Sequence, residues 1–193
     1  MFVRSWMTSP PVTVDPGVTL YEASLMMDRK RIRRLPVVEN DELVGIITRS
    51  DVSASVGRSI KPEETKRRLQ EMTVGKAMSR KPATVSSKDP LDVAAQLMLR
   101  KKVSGLPVLD GGRLVGMLTE SDVFYALCTI LGFTQKGGRV VLSLQPNMDL
   151  IGQLQRAVGT MSVQGIVSYY NPESKAWEAV VRLRGRNPAP VPQ

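Results

Sequence analysis

Two short patterns hold most of the residues able to do chemistry: Thr48-Arg49-Ser50-Asp51 and Thr119-Glu120-Ser121-Asp122. A carboxylate has two acceptor oxygens and can take both hydroxyls of a vicinal diol in a charge-assisted pair. A threonine three residues earlier can donate to a phosphate oxygen, and a helix start adds backbone donors and the positive end of the dipole. The same spacing is also that of a capping box, with Asp in place of the usual Glu, so each pair reads both as a helix start and as a receptor for hydroxyls and anions. Composition narrows the rest. None of the 193 residues is histidine, which excludes imidazole bases, histidine-containing triads and histidine-ligated metals. Cys128 is the single cysteine, so no intramolecular disulfide or thiolate cage can form. The spacing offers no nucleophile with its base, and binding without catalysis is expected.

Both pairs occupy the same place in an internal duplication. Residues 3–52 align with 74–123 at a constant offset of 71 without a gap, and 20 of the 50 pairs are identical. Each copy predicts the same elements. An extended run at 12–14 or 83–85 leads into a helix. In the first copy Thr19 and Glu22 form a capping box ahead of Leu20, Ala23 and Met27. In the second, Asp89 is expected to cap, with Pro90 at the first helical position and a stripe of Leu91, Ala94, Ala95, Met98 and Leu99. Strands at 35–38 and 43–48, or 106–109 and 114–119, flank the polar turns ENDE and DGGR. A second helix starts at Thr48 or Thr119. The order β-α-β-β-α is an α+β unit whose small sheet needs the other copy to cover it.

A methionine near each start (Met7, Met78), an x-Thr-Val run, a Leu-Pro-Val strand and a closing G-x-x-T-x-S-D-V resemble the cystathionine β-synthase (CBS) domain, here in tandem over about residues 1–131. The resemblance implies a regulatory module with no catalytic cofactor. It would bind adenosine-containing ligands, AMP, ADP, ATP or S-adenosylmethionine, in grooves between the repeats. It assigns Asp51 and Asp122 to the ribose and Thr48 and Thr119 to phosphate. Adenine would meet Ile32, Arg33, Arg34, Leu35 and Pro36 in one copy and Val103, Ser104, Gly105, Leu106 and Pro107 in the other. Proline there removes its own donor and can leave nearby carbonyls and amides unpaired, although it can equally start an edge strand. Thr13 and Thr84 match a position that lines the groove in the family.

Charge separates the copies. Arg29, Lys30, Arg31, Arg33 and Arg34 crowd the first, whereas Arg100, Lys101 and Lys102 are followed by Ser104 and Gly105 in the second. Cations also suit a helix C-terminus on their own account. Arg33 and Arg34 are expected to compensate phosphate charge, so the grooves should not be equivalent. The net charge of +9 suggests a nucleic-acid-binding protein as the alternative. Against it, 20 of the 27 basic residues lie in the duplicated region among 15 acidic ones, and aromatic residues for base stacking are only 5%.

The expected boundaries are repeat 1 at 1–60, a charged linker helix at 61–73, repeat 2 at 74–132, a linker at 133–138, a tail domain at 139–185 and a disordered end at 186–193. The tail predicts a strand at 139–144, a helix capped by Asn147 or Asp149, and a hairpin of 165–170 with 177–184. This is part of a ferredoxin-like unit. It resembles a truncated ACT domain, and the whole order is similar to acetoin-utilisation-type CBS-ACT regulatory proteins. Such a tail would need a partner surface, so a homodimer formed through the CBS pair and the tail is expected. Arg182 and Arg184, on a strand face with Glu178, are expected to face solvent. No run reaches about 18 apolar residues and the N-terminus lacks a signal-peptide pattern, so a cytoplasmic protein outside the membrane is expected.

Overall fold

The Thr19 hydroxyl accepts from the Glu22 N–H at 3.2 Å and the Glu22 carboxylate accepts from the Thr19 N–H at 3.1 Å, opening α1 (Leu20–Lys30). The computed structural model describes residues 1–57, 61–133, 137–144 and 149–184. The chain divides into two units, Met1–Val123 and Phe124–Gln193.

In the first unit α1 ends at Arg31 in the left-handed conformation, and β1 (Arg34–Glu39) and β2 (Glu42–Thr48) follow as an antiparallel hairpin. Its turn residues Asn40 and Asp41 have φ of 49° and 64°, a region that these two side chains tolerate best after glycine. Next come α2 (Arg49–Val56) and α3 (Pro62–Glu71), which buries no residue, as its charge predicts. The second copy repeats the plan with α4 (Val74–Ala77), β3 (Ser79–Arg80), β4 (Val85–Ser86), α5 (Leu91–Lys101), β5 (Gly105–Asp110) and β6 (Arg113–Thr119), and α6 (Glu120–Ile130) begins in this unit and continues into the second. Leu20, Ala23 and Met27 pack with Leu35, Val37 and Ile47 in one core. Their counterparts Leu91, Ala94, Met98, Leu106, Val108 and Leu118 are likewise buried. Leu99 does not join the stripe; it is 78% exposed.

The sheets run β1-β2-β3 and β4-β5-β6, so β3, which opens the second copy, completes the sheet of the first. The reciprocal pairing is also present. Thr8 exchanges backbone hydrogen bonds with Met117 of β6 at 2.9 and 3.0 Å, and Val3 and Arg4 donate to the Asp89 and Ser87 carbonyls. Seventy-one residues later, Val74 and Gly75 donate to Val18 and Pro16. Each repeat's leading segment is therefore exchanged onto the other repeat, with the reciprocity of a two-fold axis. Two glycines permit it. A Cβ on Gly116 would lie 2.6 Å from Met7 Sδ and 3.0 Å from the Thr8 carbonyl, and one on Gly45 would meet Met78 and Ser79 in the same way.

The exchange also explains a difference from the sequence reading at α5. Pro90, not Asp89, occupies the N-cap position, and Asp89 Oδ2 instead accepts from the Ser86 N–H at 2.8 Å within the preceding turn. The first amide of the helix, Leu91 N–H, has no partner within the helix and donates to the Met1 carbonyl at 3.0 Å, just as Leu20 N–H donates to Met72. The acceptor is supplied from the exchanged segment.

In the second unit β7 (Gly137–Leu144), α7 (Leu150–Val158), β8 (Val163–Asn171) and β9 (Ala176–Arg184) form an antiparallel sheet in the order β7-β9-β8 with one helix. Asp149 caps α7, accepting from the Ile151 and Gly152 N–H groups. Asn147 and residues 186–193 lie outside the described residues. Gly137 and Gly138 belong to β7 and not to a linker. Ala179, Val181 and Leu183 alternate inward against Leu154 and Val158. Arg182, on the opposite face, does not simply face solvent: its Nε donates to the Gly132 carbonyl at 3.2 Å and its guanidinium lies 5.8 Å from the Phe133 ring centre. Arg184 is exposed. Glu178 accepts from Tyr169, Asn171 and Ser174 across the hairpin, and the Tyr169 hydroxyl above all holds its carboxyl below the usual glutamate range.

Candidate functional site

Both Thr-x-x-Asp pairs form the capping box, with matching geometry. Thr48 and Thr119 N–H donate to Oδ2 of Asp51 and Asp122 at 2.8 Å, and the threonine hydroxyls donate to the same oxygens at 2.6 Å. The hydroxyls in turn accept from the aspartate N–H groups at 3.3 Å. The second carboxylate oxygen, Oδ1, accepts nothing from the described residues in either copy, so helix capping leaves one acceptor edge of each aspartate open. In this arrangement the threonine hydroxyls donate to aspartate, and the helix-start backbone adds further donors for an anion.

Asp122 and Thr119 lie on the wall of a cavity of 280 Å³, near the small end of the roughly 300–1,000 Å³ usual for small-molecule sites. The opposite repeat supplies much of the rest. Ile32, Arg33, Arg34 and Pro36 line it from the start of β1 and the two residues before it, Thr8 from the exchanged segment, and Pro11 and Val12 from the run that follows. Apolar Val12, Ile32 and Met117 suit the faces of a planar ring, while Asp122 suits hydroxyl donors and Arg31 and Ser121 suit an anionic group. Among the described residues no cluster of His, Cys, Asp or Glu could hold a metal ion.

The backbone around the starts of β1 and β5 is only partly open. The Arg33 carbonyl accepts from Arg49 N–H at 2.9 Å, the Pro36 carbonyl from Val14 N–H at 3.0 Å, and the Ser104 carbonyl from Glu120 N–H at 3.2 Å. Both Ile32 and Val103 donate their N–H groups back to the preceding helices, to Met27 and Met98, and their carbonyls accept nothing from described residues. The proline segments are thus anchored at each end, with one free acceptor apiece. Leu35 and Leu106 are fully buried in their cores, so their side chains do not reach a groove.

The basic residues divide sharply. Arg31 and Arg33 are exposed, and Arg49 is tied to Asp28 at 2.7 Å. Arg34 is buried; its Nη2 donates to Ser104 Oγ at 2.7 Å and its Nη1 to the Ser104 carbonyl. Burial, then the like charge of Arg33, draws its pKa below the ordinary arginine range, while Glu120 and Asp122 pull the other way. An arginine starts so high that it stays charged at neutral pH.

Of the residues read from sequence, the structure gathers Ile32, Arg33, Arg34, Pro36, Thr119 and Asp122 around one cavity. Thr13 is exposed and borders a different hollow of 460 Å³ with Pro11, Val38 and Asp41. Sequence reasoning missed Thr8, Pro11 and Met117, because the exchange that brings them together is invisible in local pattern. The reciprocal bridge of Thr8 to Met117 would have been found only by asking which edge strand lacks a neighbour.

A family model for the CBS domain matches residues 3–57 and 74–129. The chain belongs to the CBS domain family. The match ends within α6, so the β7-α7-β8-β9 unit lies outside it. A CBS domain-containing protein of Dictyostelium discoideum is 37% identical over 136 residues, covering 68% of this chain and 94% of that protein. An L-aspartate semialdehyde sulfurtransferase of Methanocaldococcus jannaschii is 30% identical over 123 residues, covering 63% of this chain but 22% of that protein. Among solved structures, CBSX2 in complex with AMP matches with a TM-score of 0.58 at 30% identity, covering 67% of this chain and 97% of that one. The CBS domain pair of MJ0100 with 5′-methylthioadenosine and S-adenosylmethionine matches with a TM-score of 0.58 at 27% identity, covering 70% and 98%.

Proposed function

We propose that this CBS pair is a non-catalytic sensor that binds an adenosine-containing ligand between its repeats. The observation that carries the reading is Asp122. Its Oδ2 is held by the helix cap and its Oδ1 is open, on the wall of a cavity whose other side is the Ile32–Pro36 segment of the opposite repeat. An open carboxylate edge suits a ribose diol, the Ile32 carbonyl suits an adenine amino group, and the apolar lining suits the purine faces. Thr48, Asp51 and the segment from Val103 to Pro107 are proposed to form the second groove, with Thr84 beside it. A ligand that bridges both repeats shifts their equilibrium orientation by its differential affinity, which is the signal a partner would read.

The test is a thermal-shift panel of AMP, ADP, ATP, S-adenosylmethionine, adenosine and unrelated anions. At 100 times its dissociation constant, a binder is expected to stabilise the fold by about 2.7 kcal/mol. No shift with any adenosyl compound overturns the reading.

The proposed partner is a second copy. Phe124, Tyr125 and Leu127 of α6 are 69%, 61% and 47% exposed, a concentration of large apolar side chains that a monomer rarely leaves in water. The tail supports the same conclusion: a helix between β7 and β8 with β9 in the centre is the strand order of a partial ferredoxin-like, ACT-like unit, whose outer strands can pair further. Sedimentation equilibrium is expected to give twice the chain mass for the native protein, and less for Leu127→Asp. A native protein that sediments as one chain at micromolar concentration excludes this pairing. No helix among the described residues is long and apolar enough to cross a membrane.

A further inference from the structure

The two-fold relation between the repeats brings one pair of equivalent positions face to face, Arg34 and, 71 residues later, Gly105. A Cβ on Gly105 would lie 2.9 Å from Arg34 Cζ and 3.1 Å from Cδ, and would overlap Nη1. Arginine in one repeat therefore requires the absence of a side chain in the other. The guanidinium that fills this space makes both of its hydrogen bonds to Ser104, and it also forms part of the wall of the Asp122 cavity.

Arg34 thus stands between two classes of acceptor. Toward the second repeat it has the Ser104 hydroxyl and carbonyl. Toward the cavity it has whatever anion lies beside Asp122. Arg31 and Arg33 also line the cavity, but they are exposed, and their attraction for an anion is screened by water and salt. Arg34 is only 9% exposed, so its charge acts at short range in a poorly solvated setting, where charge-assisted bonds are strongest. Five N–H donors in a planar fork let it bind a phosphate with one edge, provided that Ser104 releases or shares the other.

We propose that Arg34 makes the Asp122 groove select adenine nucleotides over uncharged or cationic adenosyl compounds, and that Ser104 tunes this selection by competing with the phosphate for the same guanidinium. The inference rests on the adenosyl reading above and deepens it. A sulfonium ligand such as S-adenosylmethionine would bring a positive charge toward a buried cation, whereas a nucleotide brings its phosphate chain.

Calorimetric titration of the full chain with AMP and with adenosine tests it, because the two differ only in the phosphate. The native protein is expected to prefer AMP by at least about tenfold. Arg34→Met is expected to reduce that ratio to about threefold or less. Ser104→Ala removes the hydroxyl competitor and is expected to raise the ratio severalfold. Retention of the full ratio in Arg34→Met, or an unchanged ratio in Ser104→Ala, overturns the proposal. If Arg34→Met fails to fold, the Ser104→Ala ratio decides. Adenosine binding without preference for AMP in the native protein overturns this inference alone, whereas no binding of either compound overturns the adenosyl reading beneath it.

Discussion

Removal of residues 1–8 is expected to destabilise the repeat that they do not precede. Val3 is fully buried, and the segment makes backbone hydrogen bonds to Ser87, Asp89, Leu91 and Met117, all in the second copy. Burial of one valine contributes about 1.5–3 kcal/mol and each backbone bond about 0.5–1.5 kcal/mol net, so a loss on the order of 5 kcal/mol is expected. That is a large fraction of the roughly 5–15 kcal/mol that holds an ordinary domain together. Native-state hydrogen exchange locates the damage. Amides of β6 and the first turn of α5 are expected to exchange faster than their counterparts in β2 and α1. Faster exchange confined to β1 and β2, the strands nearest in sequence, would contradict the exchanged arrangement.

Asp122→Ala is the second large effect. The residue holds the α6 cap and offers its open oxygen to the cavity. Loss of the box costs about 1 kcal/mol of stability, as N-terminal caps generally do. Loss of a charged acceptor to two hydroxyls costs more, about 1.5–3 kcal/mol for each bond, so adenosyl affinity in this groove is expected to fall by roughly 100-fold or more. Asp51→Ala is the internal control. Its cap has the same three contact distances, so it should cost similar stability, yet Asp51 is absent from the lining of this cavity. Calorimetry on both variants separates the roles. Equal loss of affinity in the two would show that only the integrity of the helix start matters, and undiminished binding by Asp122→Ala would remove the residue from the site.

What was legible in the sequence was what is local. The capping boxes at Thr19, Thr48 and Thr119, the buried trio of Leu20, Ala23 and Met27, and the hairpins about Asn40–Asp41 and Gly111–Gly112 all follow from residues within a few positions of one another. The duplication also carried α5 and β5 from their first-copy equivalents. Leu99 went wrong because a helical stripe has an edge: eight residues from Leu91, it falls beyond the arc that reaches the core. Asp89 went wrong because proline at the cap position moved the acceptor problem to another part of the chain, where Met1 resolves it. Thr8 and Met117 are 109 positions apart, and nothing in the neighbourhood of either names the other. For Arg34 a signal did exist. In a two-fold duplication, positions near the axis meet their own equivalents, so the largest side chain opposite the smallest, Arg34 against Gly105, marks where the repeats touch.

The meeting of Arg34 with Gly105 also shows what one chain can do that two identical chains cannot. In a symmetric dimer of single repeats, residue 34 would oppose a second residue 34. Here the two positions differ, so one carries a buried guanidinium and the other leaves room for it. The two sides of the axis therefore differ in charge and in bulk, which no symmetric pair can achieve.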